Sequence, residues 1–308
     1  MLVEVGLFLA GLAVLLVGSD RAVRAAAELA RYYGVSTFFI GVTVISVGTS
    51  IPEMTTSVFG AFYGAGDIVV GNIVGSETAQ ITLAIGVVAL VEPIVAKRRN
   101  VAIYGSAMVL AMVVMILTLE DGAITRSEGF LMMLAYVNFI YTLYTNEGGR
   151  EVGEEVLEEA EEPPANTFPQ VLVGLVMVVL GGHLMVSNGI AIARLLGVPE
   201  LLVGLVTGLG TTTPEIVVAA MAARRDPTGG ISVGAILGSN ITDPVFSLGV
   251  GALVADVEVA SRAAVFDSLT YMLVVSVVVL ALMYWREGID RRAAVACLLL
   301  FVPSFLIA

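Results

Sequence analysis

Two glutamates within apolar stretches are the residues that most clearly indicate chemistry. Glu53 and Glu215 each follow a proline and lie five residues after a glycine, in the segments GTSIPE and GTTTPE. Proline removes a helical hydrogen bond, so each helix is expected to break before its glutamate and to free backbone carbonyl oxygens. Because an ionisable side chain within a membrane span is costly, two in matching surroundings indicate a functional site.

Hydroxyl side chains precede each glutamate by three or four residues, which places them on the same helical face. They are Thr49 and Ser50 in the first segment, and Thr211 and Thr212 in the second. Hydroxyl, carboxylate and carbonyl oxygens suit hard cations, above all Ca²⁺, which takes six to eight oxygens at about 2.3–2.6 Å. The pattern therefore predicts a Ca²⁺ site, although other divalent cations such as Mn²⁺ accept the same ligands.

A second set of polar residues follows in the next apolar stretch of each half. Ser76 and Gln80 lie four residues apart, as do Ser239 and Asp243, so each pair shares a helical face. We expect these four residues to join the two glutamates in one polar cluster. The alternative is structural: hydroxyls can simply bond helices together and prolines can simply kink them. That alternative explains the hydroxyls but explains two matching glutamates poorly.

Three other polar residues are assigned lesser roles. Glu77 follows Ser76 and is expected about 100° around the helix from it, in a structural or water-facing role. Asp267 is expected at the membrane interface, and His183 in packing or capping rather than in ligand binding.

The composition excludes a water-soluble enzyme. The chain has 308 residues, of which 58% are hydrophobic and 14% charged, with a mean hydropathy of +0.97; soluble chains are usually about a quarter charged. The net charge is −12, so no basic face is expected for nucleic acid. The single cysteine, Cys297, excludes an intrachain disulfide.

Long apolar runs predict an all-α membrane protein with ten transmembrane helices. The first run is expected to be a true span and not a cleaved signal peptide, because nine more follow it. The predicted spans are 3–19, 36–60, 66–92, 100–119, 126–145, 169–195, 199–222, 230–254, 263–285 and 292–308.

The basic residues predict the orientation of these spans. Twelve of the fifteen Lys and Arg residues fall in loops after the odd-numbered spans, and three fall elsewhere. Because basic loops favour the cytoplasm, both termini are expected outside a cell membrane.

Sequence self-similarity predicts two homologous halves. Similar segments recur around Gly11 and Gly174, around Glu53 and Glu215, and around Ser76 and Ser239, at offsets of 163, 162 and 163 residues. We infer a first repeat over 1–145, a second over 168–308, and a glutamate-rich cytoplasmic linker over 146–167. Five spans per half make the second repeat inverted, with broken helices 2 and 7, an arrangement typical of secondary transporters.

The paired motifs GTSIPE and GTTTPE, followed by GNIVGSETAQ and GAILGSNITD, resemble the two repeats of the calcium/cation antiporter superfamily. The resemblance covers nearly the whole chain and is closest to the prokaryotic sodium/calcium exchangers. It implies that Glu53 and Glu215 are the central Ca²⁺ ligands and that helices 1 and 6 slide across the other eight. The assisting ligands that it implies are Thr49, Ser50, Thr211, Thr212, Ser76, Ser239 and the carbonyls of Ser46 and Gly208.

Departures from the family pattern bear on the counter-ion. Gln80 stands where sodium-coupled members have Asn, Thr212 stands where Ser is usual, and Pro244 directly follows Asp243. Changed side-chain lengths should harm shaped Na⁺ sites more than a titratable carboxylate. One Ca²⁺ neutralises two glutamates, as two protons do, so the sequence favours a Ca²⁺/H⁺ antiporter.

Three alternatives stay open at this point: Na⁺/Ca²⁺ exchange at the same site, a cation channel, and a membrane enzyme, for which no further catalytic residues are present. We expect no cofactor, and a protein that is functional as a monomer.

Overall fold

The structure, a computed structural model, describes residues 2–32, 47, 50–143, 145, 167–213, 215–216, 219–220 and 230–307. Before the predicted linker, the elements are α1 (Leu2–Tyr32), α2 (Ile51–Phe62), α3 (Gly66–Ala79), α4 (Ile85–Val91), β1 (Ile94–Val95), α5 (Arg98–Thr118), β2 (Ala123–Ile124) and α6 (Arg126–Leu143). After it come α7 (Thr167–Leu196), α8 (Glu200–Thr211), α9 (Gly230–Thr242), α10 (Leu248–Val254), β3 (Val257–Glu258), α11 (Arg262–Arg286), β4 (Gly288–Ile289), α12 (Arg291–Leu299) and α13 (Ser304–Ile307).

Each of the ten predicted spans contains helix. Among the described residues, five helical stretches are long and apolar enough to cross a membrane. The predicted span over 292–308 is wrong as one continuous helix, since α12 ends at Leu299 and α13 begins at Ser304. Pro303 precedes α13, and a proline cannot supply the N–H that a continuous helix would need there. The predicted linker lies outside the described residues.

Two short π-helical segments interrupt the central helices. The first π segment, Gln80–Ala84, joins α3 to α4, and the second π segment, Asp243–Ser247, joins α9 to α10. They lie 163 residues apart, the same offset that separates Ser76 from Ser239. A π segment widens one turn of a helix and often marks a functional site.

The long helices α1 and α7 pack mainly against each other. Glycines make this close approach possible: a Cβ at Gly11 would lie 2.6 Å from the Met185 nitrogen, and one at Gly181 would lie 2.5 Å from the Leu15 nitrogen. Their buried apolar side chains form a small cluster separate from the main core. The α1–α7 pair is therefore a packing unit of its own.

Two antiparallel strand pairs connect the two parts of the chain. Ile94 of β1 pairs with Ile289 of β4, and Ala123 of β2 pairs with Glu258 of β3. Each pair takes one strand from before the predicted linker and one from after it. These pairs, at the ends of helices, fix the relative position of the two parts.

Candidate functional site

The candidate site lies where α2, α3, α8 and the second π segment meet in the interior. α2 begins directly after Ser50, and Pro52 occupies its first turn, where the missing N–H breaks no helical hydrogen bond. Glu53 is therefore held in the first turn of α2, close to free backbone N–H groups. Its side chain is 0% exposed.

The crossing of α3 and α8 is built on glycine. A Cβ at Gly75 would lie 2.6 Å from the Leu205 oxygen, and one at Gly208 would collide with backbone at Asn72 and Ser76. Small residues at a helix interface let the backbones approach closely. As a result the Asn72 amide donates to the Thr211 hydroxyl across the crossing, at 3.2 Å.

Ser76 connects two carboxylates from different helices. Its hydroxyl lies 3.2 Å from Glu53 Oε1 and 3.4 Å from Asp243 Oδ2. Gln80 Nε2 donates to Ser76 Oγ at 3.0 Å and to Asp243 Oδ2 at 3.1 Å. Ser247 donates to Asp243 Oδ1 at 3.1 Å. Residues 76 and 80 thus share one face, as their spacing predicts.

Asn240 adds an amide that the sequence analysis did not single out. Its Nδ2 donates to Gln80 Oε1 at 2.7 Å and to the Ile236 carbonyl at 2.7 Å. The signal was available, because Asn240 directly follows Ser239 in the GS motif and stands 163 residues after Glu77.

The residues of α8 and beyond form the second side of the site. Thr211 and Thr212 donate to the Gly208 carbonyl at 3.2 and 2.7 Å, so in this conformation the oxygen that the resemblance assigns to Ca²⁺ accepts hydroxyls. Thr211 also approaches Glu53. Glu215 is 4% exposed and Ser239 is 2% exposed, so both side chains are buried.

Two predicted ligands, Ser46 and Thr49, lie outside the described residues. The remaining predicted ligands are all described and, with the glycine aside, all have buried side chains: Ser50, Glu53, Ser76, Gln80, Thr211, Thr212, Glu215, Ser239 and Asp243. Their roles as ligands stay a prediction.

Glu77 is not water-facing, contrary to one role proposed for it. Its side chain is 0% exposed, and neither carboxylate oxygen has a hydrogen-bond partner. His183 contacts Tyr63 through a hydrogen bond between the ring Nδ1 and the phenol oxygen at 2.5 Å, consistent with a packing role.

The site is rich in oxygen and poor in positive charge. The buried polar residues of the described chain include glutamates, aspartates, amides and hydroxyls, and no Lys, Arg or His. Among these same residues, no three His, Cys, Asp or Glu side chains converge closely enough to bind one metal ion. A bound cation would therefore depend on hydroxyl and carbonyl oxygens in addition to carboxylates.

Comparison with known proteins identifies the family. The sequence profile of the sodium/calcium exchanger protein family matches residues 3–145 and 167–308. The chain belongs to the sodium/calcium exchanger family. The resemblance to calcium/cation antiporters is thereby confirmed, and the alternative of a membrane enzyme is excluded, because this is a family of transporters.

Relatives of this exchanger-family protein match it over nearly their full length. The inner membrane protein YrbG of Escherichia coli is 31% identical over 97% of this chain and 94% of its own. The sodium/calcium exchanger MaX1 of Methanosarcina acetivorans is 28% identical over 98% and 97%. The solved structure of the sodium-calcium exchanger NCX_Mj soaked with 100 mM Na⁺ and 10 mM Sr²⁺ has a TM-score of 0.66 and 26% identity, covering 99% and 98%.

Family and fold together define the broad function. The protein is a multi-pass membrane transporter of the class that exchanges Ca²⁺ for another cation, and no cofactor is indicated.

Proposed function

We propose that this protein is a secondary antiporter that exports Ca²⁺ in exchange for H⁺ by alternating access. The observation that carries the proposal is the buried network in which Ser76 joins Glu53 to Asp243. Such a network offers a cation several oxygens of different charge inside an apolar protein. Glu53 and Glu215 would be the central ligands.

Charge balance gives the exchange its direction-coupling. One Ca²⁺ neutralises two carboxylates, as two protons do, so both ions load the same pair of glutamates to the same net charge. An empty site would carry two unpaired charges through a low-dielectric interior, which is costly. The carrier should therefore change conformation only when loaded, and Ca²⁺ and H⁺ should compete.

The second candidate is Na⁺/Ca²⁺ exchange at the same site. The family match and the likeness to NCX_Mj favour it. Against it, Gln80 already bonds to both Asp243 and Asn240, so its amide is engaged with protein groups. H⁺ coupling requires no further shaped oxygen site, and for that reason we place it first.

The transport cycle that we propose uses an inverted repeat. The offset of 163 residues between the two π segments supports it, as does the exchange of strands between the two parts of the chain. The proposed units are the repeats 1–145 and 168–308, joined by the acidic cytoplasmic linker 146–167. Helices 2 and 7 of this scheme would be broken beside Glu53 and Glu215.

Alternating access would come from sliding of α1 and α7. Their separate apolar cluster and their mutual packing support motion of the pair as one body. One chain contains both sides of the proposed site, so we propose that a monomer is functional, with both termini outside the cell membrane.

The decisive experiment is ⁴⁵Ca²⁺ uptake into proteoliposomes under an imposed pH gradient in Na⁺-free buffer, compared with an imposed Na⁺ gradient. Glu53→Gln and Glu215→Gln serve as loss variants, and Glu92→Gln, at an exposed position, serves as the control. We expect pH-driven uptake that both loss variants abolish. Uptake driven only by Na⁺ would replace H⁺ with Na⁺, and uptake that both loss variants retain would overturn the Ca²⁺ site. Flux that does not saturate with Ca²⁺ would indicate a channel.

A further inference from the structure

Glu77 is a buried carboxylate that the proposed Ca²⁺ site does not use. It belongs to α3, one residue after Ser76, and its side chain is 0% exposed. Neither Oε1 nor Oε2 has a hydrogen-bond partner. An isolated carboxylate in an apolar interior carries a large desolvation cost, so a neutralising partner is required.

The position of Glu77 can be read from the crossing of α3 with α9. Gln80 Oε1 accepts from Asn240, and Gln80 Nε2 donates to Asp243, so Gln80 lies between two residues one turn apart. The 163-residue offset relates Glu77 to Asn240 and Gln80 to Asp243. Glu77 therefore takes, on its own helix, the place from which Asn240 reaches across, and it faces Asp243. The electrostatic interactions agree, since Asp243 acts on Glu77 more strongly than Glu53 does.

Hydrogen bonding is distributed unevenly over these carboxylates. Asp243 accepts from Ser247 on one oxygen and from Ser76 and Gln80 on the other. Those neutral donors stabilise its negative charge in place. Glu77 has no such donor. The charge that lacks compensation is thus a single one, and it resides on Glu77.

We propose that Glu77 and Asp243 form a second cation position beside the Ca²⁺ site, occupied by a monovalent alkali cation that binds together with Ca²⁺. The proposal rests on the proposed function, because it adds a co-bound ion to the same carrier. A single positive charge matches the single uncompensated carboxylate. Asn240 Oδ1, which is buried and without a hydrogen-bond partner, supplies a neutral oxygen nearby. A proton on Glu77 fits less well, because its new hydroxyl would have no acceptor within hydrogen-bonding distance.

The test is equilibrium ⁴⁵Ca²⁺ binding to the purified full chain, at fixed pH and ionic strength. KCl or NaCl replaces N-methyl-D-glucamine chloride, and bound ⁸⁶Rb⁺ is counted in parallel. For the wild-type protein we expect at least one salt to raise the apparent Ca²⁺ affinity about tenfold, a usual size for coupling between two ligands. KCl and NaCl identify the alkali cation.

Two variants test the role of Glu77. Glu77→Gln keeps the shape and removes the charge, and Glu77→Asn introduces the residue type found 163 positions later. We expect both to bind Ca²⁺ with less than about twofold dependence on either salt and to lose bound ⁸⁶Rb⁺. Glu92→Gln, which changes an exposed glutamate, should keep the wild-type dependence. Monodisperse elution and an unchanged Tm show that the variants are folded.

The outcomes separate this proposal from the proposed function. If neither salt raises the Ca²⁺ affinity of the wild-type protein, or if both Glu77 variants keep the salt effect, the second cation position is wrong while Ca²⁺ binding stands. If the wild-type protein binds no Ca²⁺ in any salt, the proposed function itself fails. A response to pH with no response to alkali cations would replace the alkali cation with a proton.

Discussion

At the scale of residues, the site depends on one hydroxyl shared by two acids. Ser76 lies within 3.2 Å of Glu53 and 3.4 Å of Asp243, but its single O–H can donate to only one of them at a time. A cation bound to Glu53 would release the hydroxyl proton toward Asp243 and leave the serine oxygen free to act as a ligand. Ser76 therefore links occupancy of one carboxylate to the hydrogen bonding of the other.

Ser76→Ala should reduce the apparent Ca²⁺ affinity about tenfold, since losing a hydrogen bond to a charged group costs about 1.5–3 kcal/mol and part of this cost is recovered when the ion leaves. The KM for ⁴⁵Ca²⁺ uptake measures the change. Ser106→Ala is the control, because Ser106 is exposed and bonds only to the Ile103 carbonyl of its own helix. An unchanged KM in Ser76→Ala would remove Ser76 from the site.

Gln80→Asn should raise Na⁺-driven uptake relative to pH-driven uptake by about fivefold, the equivalent of about 1 kcal/mol. The shorter amide cannot span both Asp243 and Asn240, which Gln80 contacts at 3.1 and 2.7 Å. An oxygen then becomes available to a small cation. The ratio of the two initial rates, in the same proteoliposome preparation, is the measurement. A constant ratio would show that Gln80 does not determine the counter-ion.

The sequence could predict part of this site. A spacing of four residues predicted that Ser76 and Gln80 share a face, because helical geometry is local. The orientation of Glu77 could not be predicted from its own helix, since it depends on how α3 crosses α9. Asn240 was missed because an amide within an apolar helix attracts less attention than a carboxylate.

At the scale of elements, hydropathy located the helices well and their interruptions poorly. A run of apolar residues satisfies an α-helix and a π segment equally, so the interruptions at Gln80–Ala84 and Asp243–Ser247 gave no signal in the apolar pattern. α1 continues to Tyr32, beyond the predicted end at residue 19, because helicity does not stop where the apolar run stops. The interruption after Leu299 did have a signal in Pro303.

Gly181→Ala should destabilise the protein and slow transport, because the new methyl would meet the backbone of α1 at Leu15. Overpacking of this kind costs about 1–3 kcal/mol. Gly6→Ala is a matched control in α1, where an added Cβ meets nothing within 4 Å. Thermal unfolding in detergent and the initial rate of ⁴⁵Ca²⁺ uptake give the two readouts. Equal Tm values for both variants would contradict the close packing of α1 on α7.

At the scale of the whole molecule, the chain is suited to tests of orientation. Cys297 is the single cysteine of the sequence and is buried, so a membrane-impermeant thiol reagent should give little background labelling. Lys97 and Ser127 are both exposed, and the charge bias predicts that they lie on opposite sides of the membrane.

Ser127→Cys should react with the impermeant reagent added to intact cells, whereas Lys97→Cys should react only after permeabilisation. The expected difference is nearly complete, because a bilayer blocks a charged reagent. Mass-tag labelling followed by gel shift measures it. The opposite pattern would invert the proposed topology, and labelling of both positions in intact cells would show that the spans between them are miscounted.

The strand pairs have a consequence for how such a chain can be assembled. β1 finds its partner in β4 and β2 finds its partner in β3, so neither part of the chain can satisfy its own strand edges. Each part exposes two edges that only the other part closes, which is the logic of a two-subunit complex. The peptide connection between them is then a tether that raises local concentration, not a source of structure. Two separately translated polypeptides, cut within the acidic stretch, would find each other in the bilayer.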